Sequence, residues 1–197
     1  FSRILNTNSK KSVLPFKKYV IYKEFEEYQF NFLINDLCAK EWYDDDRIST
    51  PETAFIKNDL LNKGDIVADC GAHHGLVTLL AAKRVGNAGH VFSFEAMPRN
   101  INAIESNVHL NNLENVNIEN IAVGESNSFV RFINDSNGFV DLDNNSSNSI
   151  EIKMMSLDKY FAGKRYPNFI KIDVEGFENH VLKGARDILL NKPRFAI

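Results

Sequence analysis

Between Tyr19 and Ile34 the apolar side chains Tyr28, Phe30, Phe32 and Ile34 fall on every second position. That is the period of a half-buried strand, and Tyr19 to Phe25 supplies an antiparallel partner across a short turn. The alternation then stops. Glu41 to Pro51 is polar, with Asp44, Asp45 and Asp46 in a row, and reads as a solvated loop. The three aspartates do not suggest a metal, because no further oxygen ligands follow at a binding-loop spacing. A helix is predicted over Glu52 to Asn62, closed by the turn Lys63-Gly64-Asp65.

From there the chain alternates between periods of two and of 3.6. Ile66 to Cys70 reads as a strand running into a glycine turn. Val77, Leu80, Ala81 and Val85 have helical spacing, His90 to Phe94 is a short strand, and Ile101, Ile104 and Val108 share a helical face behind Pro98. A third strand is predicted over Val116 to Val123. Strand, helix, strand, helix, strand is the first half of a doubly wound, Rossmann-like parallel sheet. Phe129 to Ile133 and Ile150 to Met155 read as a hairpin around a loop, Asn134 to Ser149, rich in Asn, Ser, Asp and Gly. Ser156-Leu157-Asp158 is a helix entry, Phe169 to Val174 a buried strand, and Val181, Leu182, Ala185, Ile188 and Leu189 one face of the next helix. Phe195-Ala196-Ile197 opens a fifth strand, which predicts a longer polypeptide, as does a start at Phe1 instead of Met. Residues 1–50 are expected to form an extension with a hairpin and residues 51–197 the α/β domain.

Composition narrows the partners. At 197 residues and 44% hydrophobic content the chain can bury one sizeable core, and a net charge of −3 gives no general attraction to nucleic acid or anionic membrane. Lys10, Lys11, Lys17 and Lys18 are read as solvated. The two cysteines, Cys38 and Cys70, build neither a disulfide framework nor a metal site. No apolar run approaches the roughly 20 residues that span a bilayer, and nothing resembles a signal peptide, so a cytoplasmic location is the expectation.

In an open α/β sheet the ligand lies off the carboxyl ends of the strands, where strand order reverses. Three acid-bearing segments are expected to meet there: Asp69 to Gly75, Glu95 to Met97, and Asp173 to Gly176. A carboxylate about twenty residues after a glycine turn is placed to accept ribose hydroxyls, which is Glu95, and Ala96 and Met97 offer apolar surface to a base. The glycines stand as Gly71-x-x-x-Gly75, not G-x-G-x-x-G, which favours S-adenosylmethionine over a dinucleotide. Each strand-end acid is equally able to cap a helix.

The run Ile170-Lys171-Ile172-Asp173-Val174-Glu175-Gly176-Phe177-Glu178, followed by Val181-Leu182-Lys183-Gly184-Ala185, resembles the signature of the FkbM family of S-adenosylmethionine-dependent methyltransferases. The resemblance extends from about Glu52 to Ile197 and takes in Thr78-Leu79-Leu80-Ala81-Ala82, Phe94-Glu95, Asn100 with Asn107, Asn120 to Glu125, and Ser156-Leu157-Asp158. It implies a class I methyltransferase sheet whose closing C-terminal hairpin would lie beyond Ile197. It also implies that the methionine part of the cofactor lies by Asp69, Gly71, Ala72, His73 and Gly75, and that Glu52 closes that side. The ribose would lie on Glu95, and the adenine between Ala96 and the strand end at Asn120 to Ala122. Two positions depart from the family pattern: Ala96 stands where proline is usual, and His73-His74 replace Asn-Ile or Asn-Val.

The implied reaction is methyl transfer from S-adenosylmethionine to a hydroxyl oxygen of a sugar, glycan or natural-product acceptor, with S-adenosylhomocysteine as product. Asp173 and Glu175 are the candidates for base and substrate anchor. The alternative is that Asp173 contacts cofactor only and Glu175 caps the next helix. His74 and His180 are further candidates. A Mg²⁺ site from Asp141, Asp143 and Asp173 is not indicated, and no metal is expected. Two competing readings are a non-catalytic module of the same fold in a larger protein and a nicotinamide-dependent oxidoreductase.

Overall fold

The computed structural model describes residues 15–45, 53–54, 60–133, 139–140 and 146–196. Its first elements are the strands β1 (Tyr19–Phe25) and β2 (Tyr28–Ile34), antiparallel with Phe25 opposite Tyr28, followed by α1 (Leu37–Tyr43). Then come β3 (Ile66–Cys70), α2 (Leu76–Val85), β4 (His90–Phe94), α3 (Pro98–Leu110) and β5 (Val116–Glu119). A second group of strands is β6 (Ala122–Val123), β7 (Ser128–Ile133), β8 (Phe139–Val140) and β9 (Ser149–Met155). The chain finishes with α4 (Leu157–Tyr160), β10 (Phe169–Ile172), α5 (Glu178–Lys183), α6 (Arg186–Leu189) and β11 (Arg194–Ala196).

The main sheet is parallel, in the order β11-β10-β3-β4-β5. Strand order runs outward from β3 in both directions, so the switch point lies between β3 and β10. Alternation along β3 divides the core. Val67 packs with Leu79, Leu80, Ala82 and Val85 of α2, while Ala68 and Cys70 pack on the other face with Leu157, Phe161, Val181, Ala185 and Ile188. This is an α/β fold with a parallel sheet covered on both faces, and it carries an N-terminal antiparallel hairpin.

The hairpin falls where its alternation placed it, with Phe25, Phe30, Phe32 and Ile34 buried. It rests on the helix layer, with Phe30 and Phe32 in the cluster that α2 dominates, and not on the sheet edge. Asn107 on α3 and Asn111 at its C-cap, one turn apart, bind the free edge of β2. Asn107 Oδ1 accepts from Leu33 N–H (2.7 Å), and Asn111 both accepts from Asn31 N–H (3.0 Å) and donates to the Asn31 carbonyl (2.7 Å). Side-chain amides thereby stand in for a neighbouring strand.

Four local expectations are corrected. The polar stretch from Glu41 begins inside α1, because the Asp36 carboxylate accepts from Ala39 N–H (2.7 Å) and caps the helix, and Tyr43 packs on Phe32 (ring centroids 4.9 Å apart). The strand over Val116 to Val123 breaks after Glu119. There the Asn120 side chain donates to the carbonyls of Glu95 (3.0 Å) and Ala96 (2.8 Å), and β6 moves to a second sheet of order β6-β9-β7-β8. The hairpin of β7 and β9 is present, and β8 pairs with the far side of β7 from within what reads as loop. The last helix divides in two at Gly184-Ala185, because the Gly184 carbonyl accepts from Asp158 N–H (3.0 Å) while the Asp158 carboxylate caps α6 through Asp187 and Ile188 N–H (3.0 Å each). β11 extends the sheet where a fifth strand is predicted. Most of the Asn134 to Ser149 loop lies outside the described residues, as does the predicted helix over Glu52 to Asn62 except Thr53, Ala54 and Leu60 to Asn62.

Candidate functional site

The turn after β3 is closed by backbone conformations that few residues adopt. Gly71, His73 and Gly75 have φ of 79°, 53° and 89°. A β-carbon on Gly71 would lie 1.8 Å from the Asp173 carbonyl oxygen, so β3 and β10 emerge side by side only because residue 71 has no side chain. The loop's amides point inward. Gly71 and Ala72 N–H donate to the Phe94 carbonyl (3.0 Å each), His73 N–H to Glu95 Oε2 (2.7 Å), and Gly75 N–H to the Ala72 carbonyl (2.8 Å). These four N–H groups are engaged within the protein and are not a cradle for a pyrophosphate.

A cleft holding about 640 Å³ of space, its open mouth included, lies over the switch point. It is lined by Gly71, His73, Glu95, Ala96, Ala122, Asp173 and Glu175 among the residues expected from sequence. Asp69 is buried beneath the loop, Ala72 and Gly75 are buried within it, and none of the three is among the lining residues. Glu52, Asp141 and Asp143 lie outside the described residues, and among those described no cluster suits a metal ion. His74 is buried and His180 is stacked on Phe177 (4.0 Å), so neither lines the cleft. Glu175 does not cap α5. That place belongs to Glu178, whose Oε1 accepts from Val174 and Gly176 N–H (3.3 and 3.1 Å).

Glu95 anchors the cleft floor. Its Oε1 accepts from Met97 N–H (2.8 Å) and Asn100 Nδ2 (3.3 Å) and its Oε2 from His73 N–H, which leaves acceptor capacity on Oε2. Burial raises its pKa against the lowering by these donors. Beneath the loop, Asp69 is fully buried. Thr78 donates to its Oδ2 (2.6 Å), while Oδ1 has no hydrogen-bond partner and faces the Lys171 ammonium 3.6 Å away. Lys171 donates to the Gly71 carbonyl (2.8 Å) and lies 3.4 Å from Asp173. Burial lowers its pKa, but Asp69 and Asp173 outweigh that and raise it, which favours the charged amine. Lys171 therefore ties both halves of the switch point together. A lone cation inside an apolar strand, on the same face as Asp173, is the sequence signal that marks it.

The opposite wall comes from α1. The Tyr43 hydroxyl lies 2.6 Å from His73 Nδ1, and His73 stacks on His74 (4.1 Å, 9° between planes). Burial pushes His73 down to about 3 and Tyr43 well above its usual value, so Tyr43 donates and a neutral His73 accepts at Nδ1. Trp42, half exposed, reaches the cleft beside His73, and Phe132 and Phe177 also line it. Phe177 belongs to the signature run after Asp173, whereas Trp42, Tyr43 and Phe132 carry no motif that marks them in the sequence.

The methyltransferase FkbM domain model matches residues 69–197. A comparison with curated proteins returns no match. Among solved structures, the chain is similar to methyltransferase FkbM from Methylobacillus flagellatus, at a TM-score of 0.56 and 22% identity over 80% of this chain and 39% of that one. It therefore spans well under half of that protein's length. Two others are a putative rRNA-methylase from Clostridium thermocellum (TM-score 0.48, 15% identity, 72% and 63% covered) and an S-adenosylmethionine-dependent O-methyltransferase from Thermotoga maritima (0.43, 18%, 84% and 50%). The fold is that of class I methyltransferases, and with the family model covering 69–197 the chain belongs to the FkbM methyltransferase family.

Proposed function

We propose that the cleft binds S-adenosylmethionine and that the chain transfers its methyl group to a hydroxyl oxygen of a sugar, glycan or natural-product acceptor. The observation that carries this reading is the polar lining: four N–H groups of the glycine loop are engaged inside the protein, while Glu95, Asp173 and Glu175 line the cleft. Such a lining suits hydroxyls and positive charge and disfavours a pyrophosphate. The fit extends to the apolar residues. Ala96, Ile121 and Ala122 line the end of the cleft by β4 and β5, where a purine base would lie beside ribose hydroxyls held by Glu95.

When bound, the cofactor supplies an electrophilic methyl group on a positively charged sulfur, which keeps the electron pair of the broken C–S bond. The protein's part is alignment and proton removal. In this reading Asp173, 3.4 Å from the Lys171 ammonium, orients cofactor and acceptor. Glu175 takes the acceptor's hydroxyl proton. Its pKa is raised by partial burial and by the charges of Asp173 and Glu178, which makes it a stronger base than an ordinary glutamate.

Transfer of labelled methyl groups from S-adenosylmethionine to a panel of sugar and polyol acceptors tests this. Glu175→Gln is expected to lower kcat about 100-fold with cofactor affinity within about threefold, the size of a lost general base. Asp173→Asn is expected to weaken cofactor binding as well. Undiminished turnover in both variants would remove the catalytic assignment.

A further inference from the structure

The wall of the cleft facing the loop is built by α1, outside the 69–197 segment that defines the family. Its Trp42 lines the cleft with half of its surface exposed. The indole is not loosely held: it lies 5.3 Å from the His73 ring, tilted by 45°, and edge-on to Tyr43 at 6.4 Å. His73 is in turn fixed by the Tyr43 hydroxyl and by stacking on His74. A large aromatic ring fixed in position and open to solvent at the mouth of a cleft has a free face to offer. It does not flank the base end, which is lined by Ala96, Ile121 and Ala122 at the ends of β4 and β5. Trp42 contacts the β3 side, through His73.

Charge defines what that face would meet. The cleft is lined by Glu95, Asp173 and Glu175, and among the described residues no cationic side chain lines it. Lys171 is buried and engaged with the Gly71 carbonyl, and His73 is neutral. An anionic acceptor would face like charge. A neutral ring bearing hydroxyls would find carboxylates to accept its O–H groups. Its C–H face, weakly positive, would find the electron-rich face of an indole.

We infer that Trp42 is a stacking platform for an uncharged sugar ring, so that the N-terminal segment forms part of the acceptor site. This rests on the methyl-transfer reading above and names its acceptor class. Sugar phosphates and uronic acids are disfavoured by the carboxylates of the same lining.

Trp42 is the single tryptophan of the chain, so its emission reports this position alone. The full chain, saturated with S-adenosylhomocysteine, is titrated with the methyl glycosides of glucose, galactose, mannose and rhamnose, and with glucose 6-phosphate as the anionic probe. At least one neutral glycoside is expected to shift the emission saturably, and glucose 6-phosphate is expected to leave it unchanged. In Trp42→Leu, calorimetry is expected to show that glycoside bound about ten-fold more weakly, the effect of losing one aromatic contact, with S-adenosylhomocysteine affinity within about threefold of the parent. No response to any glycoside, equal binding of glucose 6-phosphate, or undiminished glycoside binding by Trp42→Leu would each overturn the platform. A parallel loss of S-adenosylhomocysteine affinity would make Trp42 a cofactor wall and overturn it too. Failure of S-adenosylhomocysteine to bind the parent chain is a separate result, which overturns the methyl-transfer reading and the platform with it.

Discussion

Lys171 is the side chain on which the site's rigidity depends most. Buried between Asp69 and Asp173, it neutralises one carboxylate that has no water and orients another that does. Replacing it with Met leaves Asp69 charged and unpaired in the core, so Lys171→Met is expected to cost about 3–5 kcal/mol in urea denaturation. A cost near about 1 kcal/mol would mean the network is dispensable. His73 makes a pH prediction. Held neutral with its folded pKa lowered to about 3, it binds a proton in the unfolded chain below its ordinary value of 6.5 and not in the folded one. Stability from this group is therefore full above pH 6.5 and is lost as pH falls toward 3, by about 3 kcal/mol at pH 4. His73→Asn, which suits the left-handed φ of 53°, is expected to flatten that slope in melting curves taken between pH 4 and 7. An unchanged slope would show that His73 is not the group responsible. The acids at the strand ends were legible because strand periodicity put Glu95 and Asp173 at carboxyl termini. Lys171 and Trp42 were not assigned roles, since burial and facing are properties of the packed chain.

Elements built on a strict period were read correctly, as was the helix entry capped by Ser156, while α1 and the divisions set by distant side chains were not. The hairpin of β1 and β2 and the parallel strands β3, β4 and β10 follow from alternation or short apolar runs. α1 has only seven residues, too few to show a helical period, and depends on the Asp36 cap and the Tyr43 ring. The divisions between β5 and β6 and between α5 and α6 come from side chains, Asn120 and Asp158, that bind backbone distant in sequence. The same device joins the hairpin to α3. Asn107 is fully buried and donates to the His74 carbonyl (2.8 Å) while accepting from Leu33. Asn107→Ala is expected to cost about 2–3 kcal/mol, more than Asn111→Ala at about 1 kcal/mol, because its partners are left unsatisfied without access to water. Thermal melting of the two variants checks the order, and equal or reversed costs would show that the hairpin is held by apolar packing alone.

In the whole molecule, a parallel sheet opens a cleft at its switch point and an N-terminal unit closes one wall of it. The sheet supplies carboxylates at the ends of β4 and β10, the second sheet supplies Ala122, Val123 and Phe132, and α1 supplies Trp42. Among the described residues no helix is long and apolar enough to cross a membrane. In the proposed reading the glycine loop, four of whose N–H groups close on the protein itself, disfavours a dinucleotide pyrophosphate. Calorimetric titration of the chain with S-adenosylhomocysteine, S-adenosylmethionine and NAD tests that most directly. Saturable one-to-one binding of both sulfur ligands with no heat from NAD is the predicted result; binding of NAD without either sulfur ligand would contradict the account.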